Sequence, residues 1–254
     1  MTILPIPAFN DNYIWLLVNE EEKTAICVDP GDAKPVLTFL TQEELKLKAI
    51  LLTHHHYDHT DGVSELINSY PGIAIYGPKD PRIPQVNHIL QDGDVLTLPP
   101  YHFQVLNTPG HTATHISLYE PEYGWLFCGD TLFSAGCGRV FDGTIEDLFA
   151  SLQKLKALPD TTQIYCAHEY TRRNLHFAAT VEPDNLAIRQ HAHRLMAKEN
   201  QRSLPSNIAL EKEINPFFRT HLQSMQNYMA LKGNKNTDSL SVFKQLRADK
   251  DNFS

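Results

Sequence analysis

The sequence predicts an α+β protein in which a β-rich region precedes a helical one, and three observations carry that prediction. Short apolar segments, many of them β-branched or aromatic, recur at 13–18, 25–28, 49–52, 73–76, 103–107, 115–119 and 125–128. Turn chemistry punctuates them at Asp29-Pro30-Gly31-Asp32, Tyr70-Pro71-Gly72, Gln91-Asp92-Gly93-Asp94 and Thr108-Pro109-Gly110. After Ile164-Tyr165-Cys166-Ala167 the apolar spacing turns helical and offers no convincing strand. A domain change is therefore placed near residue 170, giving regions 1–170 and 171–254.

Helices are expected to interleave with the strands at 35–40, 63–69 and 145–158. The third has Thr144 as its N-cap with Asp147 three residues on, which resembles a capping box. Further helices are expected at 171–179, 185–200 and 239–250. The stretch 231–238 carries Gly and Asn and reads as a mobile surface loop.

A chain of 254 residues with 42% hydrophobic composition can bury a sizeable core without covalent staples. Cys27, Cys128, Cys137 and Cys166 lack CxxC spacing and read as reduced, buried hydrophobes, with only Cys137, in a Gly-rich loop, left open. The first residues show no basic segment followed by a long apolar one, and no apolar run approaches the ~18 residues of a membrane span, so a cytoplasmic protein is expected. The formal charge of −8, with no Lys/Arg run, argues against a nucleic-acid partner. Nothing requires more than a monomer.

The densest chemistry lies in Thr53-His54-His55-His56-Tyr57-Asp58-His59-Thr60-Asp61-Gly62, directly after the apolar run 49–52. Imidazoles and carboxylates in that density suit a divalent transition metal. His54 and His56 alternate at strand period and share a side, which leaves His55 as a bystander. Asp58 and His59 follow where the chain turns toward a helix. Three more candidates stand at the ends of apolar segments: His111, Asp130 and His168. Five histidines and two aspartates exceed one tetrahedral zinc but suit two metals sharing a carboxylate. The expected assignment is His54, His56 and His111 on one metal, Asp58, His59 and His168 on the other, and Asp130 bridging. Zinc is the first choice, with iron or manganese also compatible with these donors.

The order T-H-x-H-x-D-H, then G-H, then G-D, then a late H resembles the metallo-β-lactamase superfamily, which implies an αββα sandwich with the metals at one edge of two sheets. The segments Gly124-Trp125-Leu126-Phe127-Cys128-Gly129-Asp130-Thr131-Leu132-Phe133, Cys166-Ala167-His168-Glu169-Tyr170-Thr171 and Asn215-Pro216-Phe217-Phe218-Arg219, with the helical tail, are similar to the glyoxalase II (hydroxyacylglutathione hydrolase) family. That resemblance covers essentially the whole chain. It implies hydrolysis of S-(2-hydroxyacyl)glutathione, chiefly S-D-lactoylglutathione, to glutathione and D-lactate, the second step of methylglyoxal detoxification.

Such chemistry needs no Ser or Cys nucleophile. A water shared by two dications loses its proton near neutral pH, and a thiolate of pKa near 8.5 leaves unaided. Asp58 is expected both to bind metal and to orient the attacking oxygen. Arg247 and Lys250 stand at i and i+3 on the last helix; from spacing alone a solvated basic face is the simpler reading. The resemblance instead assigns them the glycine carboxylate of glutathione, and gives Arg139 and Tyr170 further contacts with the tripeptide. Phe141 departs from relatives that carry a tyrosine there.

Asp29 and Asp61 are read as groups that orient ligand histidines, and Thr112 and His115 as second-layer or structural residues. His88, His102, His176, His191, His193 and His221 show no partner pattern. Among competing readings, a persulfide dioxygenase with one iron, a lactonase or an RNA-processing phosphodiesterase would use the same metal motif but would not explain the helical tail. A diiron flavoprotein needs a flavin domain for which the chain has no length. A structural zinc site is disfavoured because this donor set contains no cysteine.

Overall fold

The structure, a computed structural model, describes residues 2–197 and 202–253. It divides into two compact units: Met1–Asn107 with Thr114–Gly129, and Thr108–Ala113 with Asp130–Ser254.

The first unit begins with β1 (Thr2–Ala8), β2 (Asn12–Asn19), β3 (Thr24–Val28), α1 (Ala33–Gln42) and β4 (Lys46–Leu51). There follow α2 (Tyr57–Thr60), α3 (Val63–Ser69), β5 (Ala74–Pro78) and β6 (His88–Leu90). Strands β1 to β6 lie in sequence order in one mixed sheet. The first three are antiparallel, and β3 to β6 run parallel. The apolar segments read from sequence are its central strands, and β2 is buried along almost its whole length. One face packs Ile14, Leu16, Val18, Cys27, Ile50 and Ile75 against Val36 and Leu40 of α1 and Val63 and Leu66 of α3. The spacing i, i+4 in α1 supplies that stripe, and Asp32 caps the helix by accepting from Lys34 N at 3.0 Å. The unit ends in an antiparallel meander of β7 (Val95–Leu98), β8 (Tyr101–Asn107), β9 (Ile116–Glu120) and β10 (Trp125–Gly129).

In the second unit a small hairpin of β11 (Leu132–Phe133) and β12 (Gly136–Cys137) precedes α4 (Ile145–Lys156) and β13 (Gln163–Cys166). Then come α5 (Thr171–Val181), α6 (Leu186–Met196), β14 (Ser206–Asn207) and α7 (Ile208–Ile214). A 3-10 turn at Pro216–Phe218, α8 (Gln223–Leu231) and α9 (Ser239–Asp251) complete it. The expected capping of α4 is present: Thr144 Oγ1 accepts from Asp147 N at 3.1 Å and donates to Asp147 Oδ2 at 2.6 Å. Edge-to-face rings build this core, with Phe243 5.4 Å from both Phe149 and Phe217.

Several expectations change. Strand β1 was missed because Pro5 and Pro7 interrupt it, which an edge strand tolerates. The short β6, β7 and β14 and the helices α7 and α8 lack a strong period. Strand β14 is also a correction to the strand-free reading of the tail; two residues pair with β13. Helix α6 ends at Met196, and the rest of the expected 185–200 span lies partly outside the described residues. Cys137 is buried like the other three cysteines, all of them free thiols.

Candidate metal centre

The histidine motif leaves β4 through Leu52 and Thr53 and enters α2, so His54 and His59 are buried while His56 and Asp58 remain partly open. The three residues before α2 are irregular rather than the strand expected from alternation. The loop still gathers its rings. His54 lies 4.1 Å from His59 and 4.7 Å from His56 between centroids, and stacks on His115 at 4.8 Å.

Asp29 organises this loop. It stands just beyond β3 with φ of 52°, a left-handed conformation that costs energy for a non-glycine residue. From there Oδ1 accepts from Thr53 N at 2.8 Å, and Oδ2 accepts from Thr53 Oγ1 at 2.7 Å. His59 Nδ1 reaches the same Oδ2 at 3.0 Å. The single hydroxyl proton of Thr53 goes to Asp29, so its oxygen accepts from His54 Nδ1, 3.0 Å away. Both imidazoles are thus held with Nδ1 protonated and the Nε2 lone pair available to a metal. Asp29 therefore orients His59 directly and His54 through Thr53. Asp61 is exposed, and its expected orienting role is not seen.

Asn12, which gave no signal in the sequence, donates to Asp58 Oδ2 at 2.9 Å and fixes that carboxylate, whose Oδ2 lies 3.6 Å from His59 Nε2. Gly31 is required here, because a Cβ would collide with the Asp58 carbonyl. His55 also has a partner: its Nδ1 is 3.6 Å from Asp80 Oδ2. The buried Asp80 takes Arg82 Nε and Nη2 at 2.8 and 2.7 Å and Thr114 Oγ1 at 2.5 Å. The Arg82 hydrogen bonds hold its carboxyl well below the usual carboxylate range.

In the second unit His111, Asp130 and His168 are buried together. His111 sits in a loop pinned by Ser151 Oγ donating to Pro109 O at 2.7 Å and by Thr131 Oγ1 donating to Thr108 O at 3.1 Å. Its Nδ1 donates to Arg139 O at 2.7 Å, which again turns Nε2 toward the donor set. His168 lies flat on Tyr170, with ring centroids 4.7 Å apart and 5° between planes. One oxygen of Asp130, Oδ2, stands 3.5 Å from His111 Nε2 and 3.3 Å from His168 Nε2. A lone pair on His111 Nε2 facing a carboxylate oxygen is repulsive without a cation between them. Donors about 2.0–2.2 Å from a common tetrahedral metal stand roughly 3.3–3.5 Å apart, so the set fits a metal.

The four residues assigned to substrate lie in the same unit. Arg139 is exposed, and its Nε donates to Asp251 Oδ1 at 3.2 Å. Arg247 is buried, with Nη1 donating to Cys137 O and Gly138 O at 2.9 and 3.3 Å, and with Nη2 on Asp251 at 2.9 Å. Lys250 Nζ lies over the rings of Phe177 and Phe253 at 5.3 and 5.4 Å. Burial, helped by Arg173 and Arg247, lowers its pKa to about 8. Arg247 and Lys250 share a helix face, as the spacing implies, but they are not solvated alike. Phe141 is exposed with its ring edge on His111, 5.2 Å between centroids.

Residues 9–168 match the model of the metallo-beta-lactamase superfamily, and residues 169–253 that of the hydroxyacylglutathione hydrolase C-terminus. The chain is 52% identical over 253 residues to a hydroxyacylglutathione hydrolase of Legionella pneumophila strain Corby, covering 100% of both. Among solved structures it is similar to BLEG-1 B3 metallo-beta-lactamase, at TM-score 0.66 and 26% identity over 85% of this chain and 99% of that one. TTHA1623 in a di-iron-bound form matches at TM-score 0.61 and 26% identity, over 84% and 99%. Fold, donor set and full-length similarity agree that this chain belongs to the hydroxyacylglutathione hydrolase family of the metallo-beta-lactamase superfamily.

Proposed function

We propose that the protein hydrolyses S-(2-hydroxyacyl)glutathione, foremost S-D-lactoylglutathione, to glutathione and the 2-hydroxy acid. The observation that carries the substrate class is the full-length 52% identity to a hydroxyacylglutathione hydrolase, with the matching C-terminal region; the guanidinium groups of Arg139 and Arg247, which in this structure hold Asp251, are the cationic groups for it. Glutathione, an anionic tripeptide, presents carboxylates of that kind, and Lys250 and Tyr170 extend the grip. Region 171–254 thus supplies Arg247 and Lys250, and region 1–170 supplies Arg139, Tyr170 and the chemistry.

We assign His54, His56 and His111 to one metal, Asp58, His59 and His168 to a second, and Asp130 as their bridge. Two bound dications would supply a water of lowered pKa and positive charge beside the developing oxyanion. Zinc suits the donors, and the di-iron form of a relative makes iron a further choice. Asp58, held by Asn12, would accept a hydrogen bond from the attacking water and fix its direction. The side chain of Asn12 thereby keeps one Asp58 oxygen from rotating away. The glutathione thiolate leaves without prior protonation because its pKa lies near neutrality, at about 8.5. Cys137 and Cys166 are poor nucleophiles, because burial pushes their thiols up to about 11 and about 12. Among the described residues no helix is long and apolar enough to cross a membrane. We propose that the enzyme acts as a cytoplasmic monomer.

The test is loss of thioester absorbance from S-D-lactoylglutathione, with metal content determined on the same protein. Turnover with about two metals per chain is expected. Arg247→Ala/Lys250→Ala should raise KM about tenfold or more while metal content holds, since charge-assisted bonds to a carboxylate are lost. No turnover by metal-replete protein would move the activity to another branch of the superfamily.

A further inference from the structure

The carboxylate gripped by Arg139 and Arg247 belongs to the chain itself. Asp251 is the last residue of α9, where the helix dipole disfavours a negative charge. Its Oδ1 nevertheless receives three N–H groups: Arg247 Nη2 at 2.9 Å, Arg247 Nε at 3.2 Å and Arg139 Nε at 3.2 Å. The inner edge of the Arg247 guanidinium is consumed by Cys137 O and Gly138 O. Asp251 therefore covers the remaining, outer Nε–Nη2 edge of this buried guanidinium. Arg173 and Lys250 add positive charge nearby, so this patch is cationic in a protein whose formal charge is −8.

We infer that Asp251 is an internal competitor for the substrate carboxylate, closing the Arg139–Arg247 fork in the free protein and swinging out when the anion binds. The inference rests on the proposed reading that this fork holds the glycine end of glutathione. Displacement is feasible because the incoming carboxylate replaces the N–H contacts that Asp251 gives up, and Asp251 is partly exposed and terminates its helix. The two anions exclude one another because Arg247 has a single outward edge, and two carboxylates on it would repel. Asp251 would thereby hold product affinity down, so that glutathione leaves readily after the acyl group has gone.

Asp251→Asn keeps the shape and removes the charge. The variant should lower both KM for S-D-lactoylglutathione and Ki for glutathione about threefold to fivefold, with the change in KM rather than kcat. Glutathione amidated at its glycine carboxylate, used as a competitive inhibitor, should show no such gain, which a merely structural effect would not predict. A KM and Ki that stay equal or rise in Asp251→Asn overturn the inference and make Asp251 inert or a support of the fork. Arg247→Ala is measured in parallel. If it leaves the Ki of glutathione unchanged, the substrate reading of the fork fails and the inference falls with it. If it weakens glutathione while Asp251→Asn brings no gain, the inference alone falls.

Discussion

At the scale of residues, the chemistry depends on protons being held at chosen atoms. His54, His59 and His111 each give Nδ1–H to a fixed partner, Thr53, Asp29 and the Arg139 carbonyl respectively, so each ring presents Nε2. Lys250 titrates within ordinary working conditions. Burial is the main cause of its lowered pKa of about 8, with Arg173 and Arg247 adding to it. Its folded pKa lies below the unfolded value of 10.5, so between about pH 8 and 10.5 the unfolded chain binds more protons and stability rises with pH. Binding moves the other way, because the neutral amine cannot pair with a carboxylate. We expect kcat/KM for S-D-lactoylglutathione to fall with an apparent pKa near 8. In Lys250→Arg, which stays charged, that fall should vanish; a profile identical in the two proteins would remove Lys250 from the binding site.

At the scale of elements, short connections carry what the strands and helices cannot. Asp80 lies beyond β5 and ties together two separate pieces of the first unit: its own turn through Arg82 and the segment before β9 through Thr114. Removing a buried, multiply bonded carboxylate strands its partners and costs about 2–3 kcal/mol. Asp80→Ala should therefore lower the unfolding midpoint by about 4–10 °C in a scan of the metal-loaded protein. A midpoint within a degree of the parent would show that the turn does not depend on this network. In the second unit Glu211 has a comparable task, taking Ser134 Oγ, Ala135 N, Ser206 Oγ and Asn215 Nδ2, which binds the β11–β12 hairpin to α7. Burial raises its pKa, and these hydrogen bonds oppose that rise.

At the scale of the whole molecule, the His/Asp clusters suit a metal-dependent member of the hydroxyacylglutathione hydrolase family. Bound metals should stabilise the fold because they bind the native donor set far better than the unfolded chain. Exhaustive chelation should lower the unfolding midpoint by several degrees and abolish thioester hydrolysis, and added zinc should restore both. An unchanged midpoint in protein shown to be metal-free would mean that the donor set forms without metal support. The residues that orient the donors escaped the sequence more than the donors did. Asn12 and Asp80 carry no local pattern, and their value appears only once distant turns meet.

The sequence by itself determined the donor types, their order, the β-then-helical organisation and the family, because those depend on local spacing, periodicity and side-chain chemistry. Tertiary structure decided which imidazole nitrogen faces the donor cluster, and that Arg247 is buried and already holds Asp251. These are matters of hydrogen-bond partnership between residues far apart in the chain, such as Asp29 with His59 or Arg247 with Cys137. No local pattern encodes such pairs, because only the folded backbone brings their atoms within bonding distance.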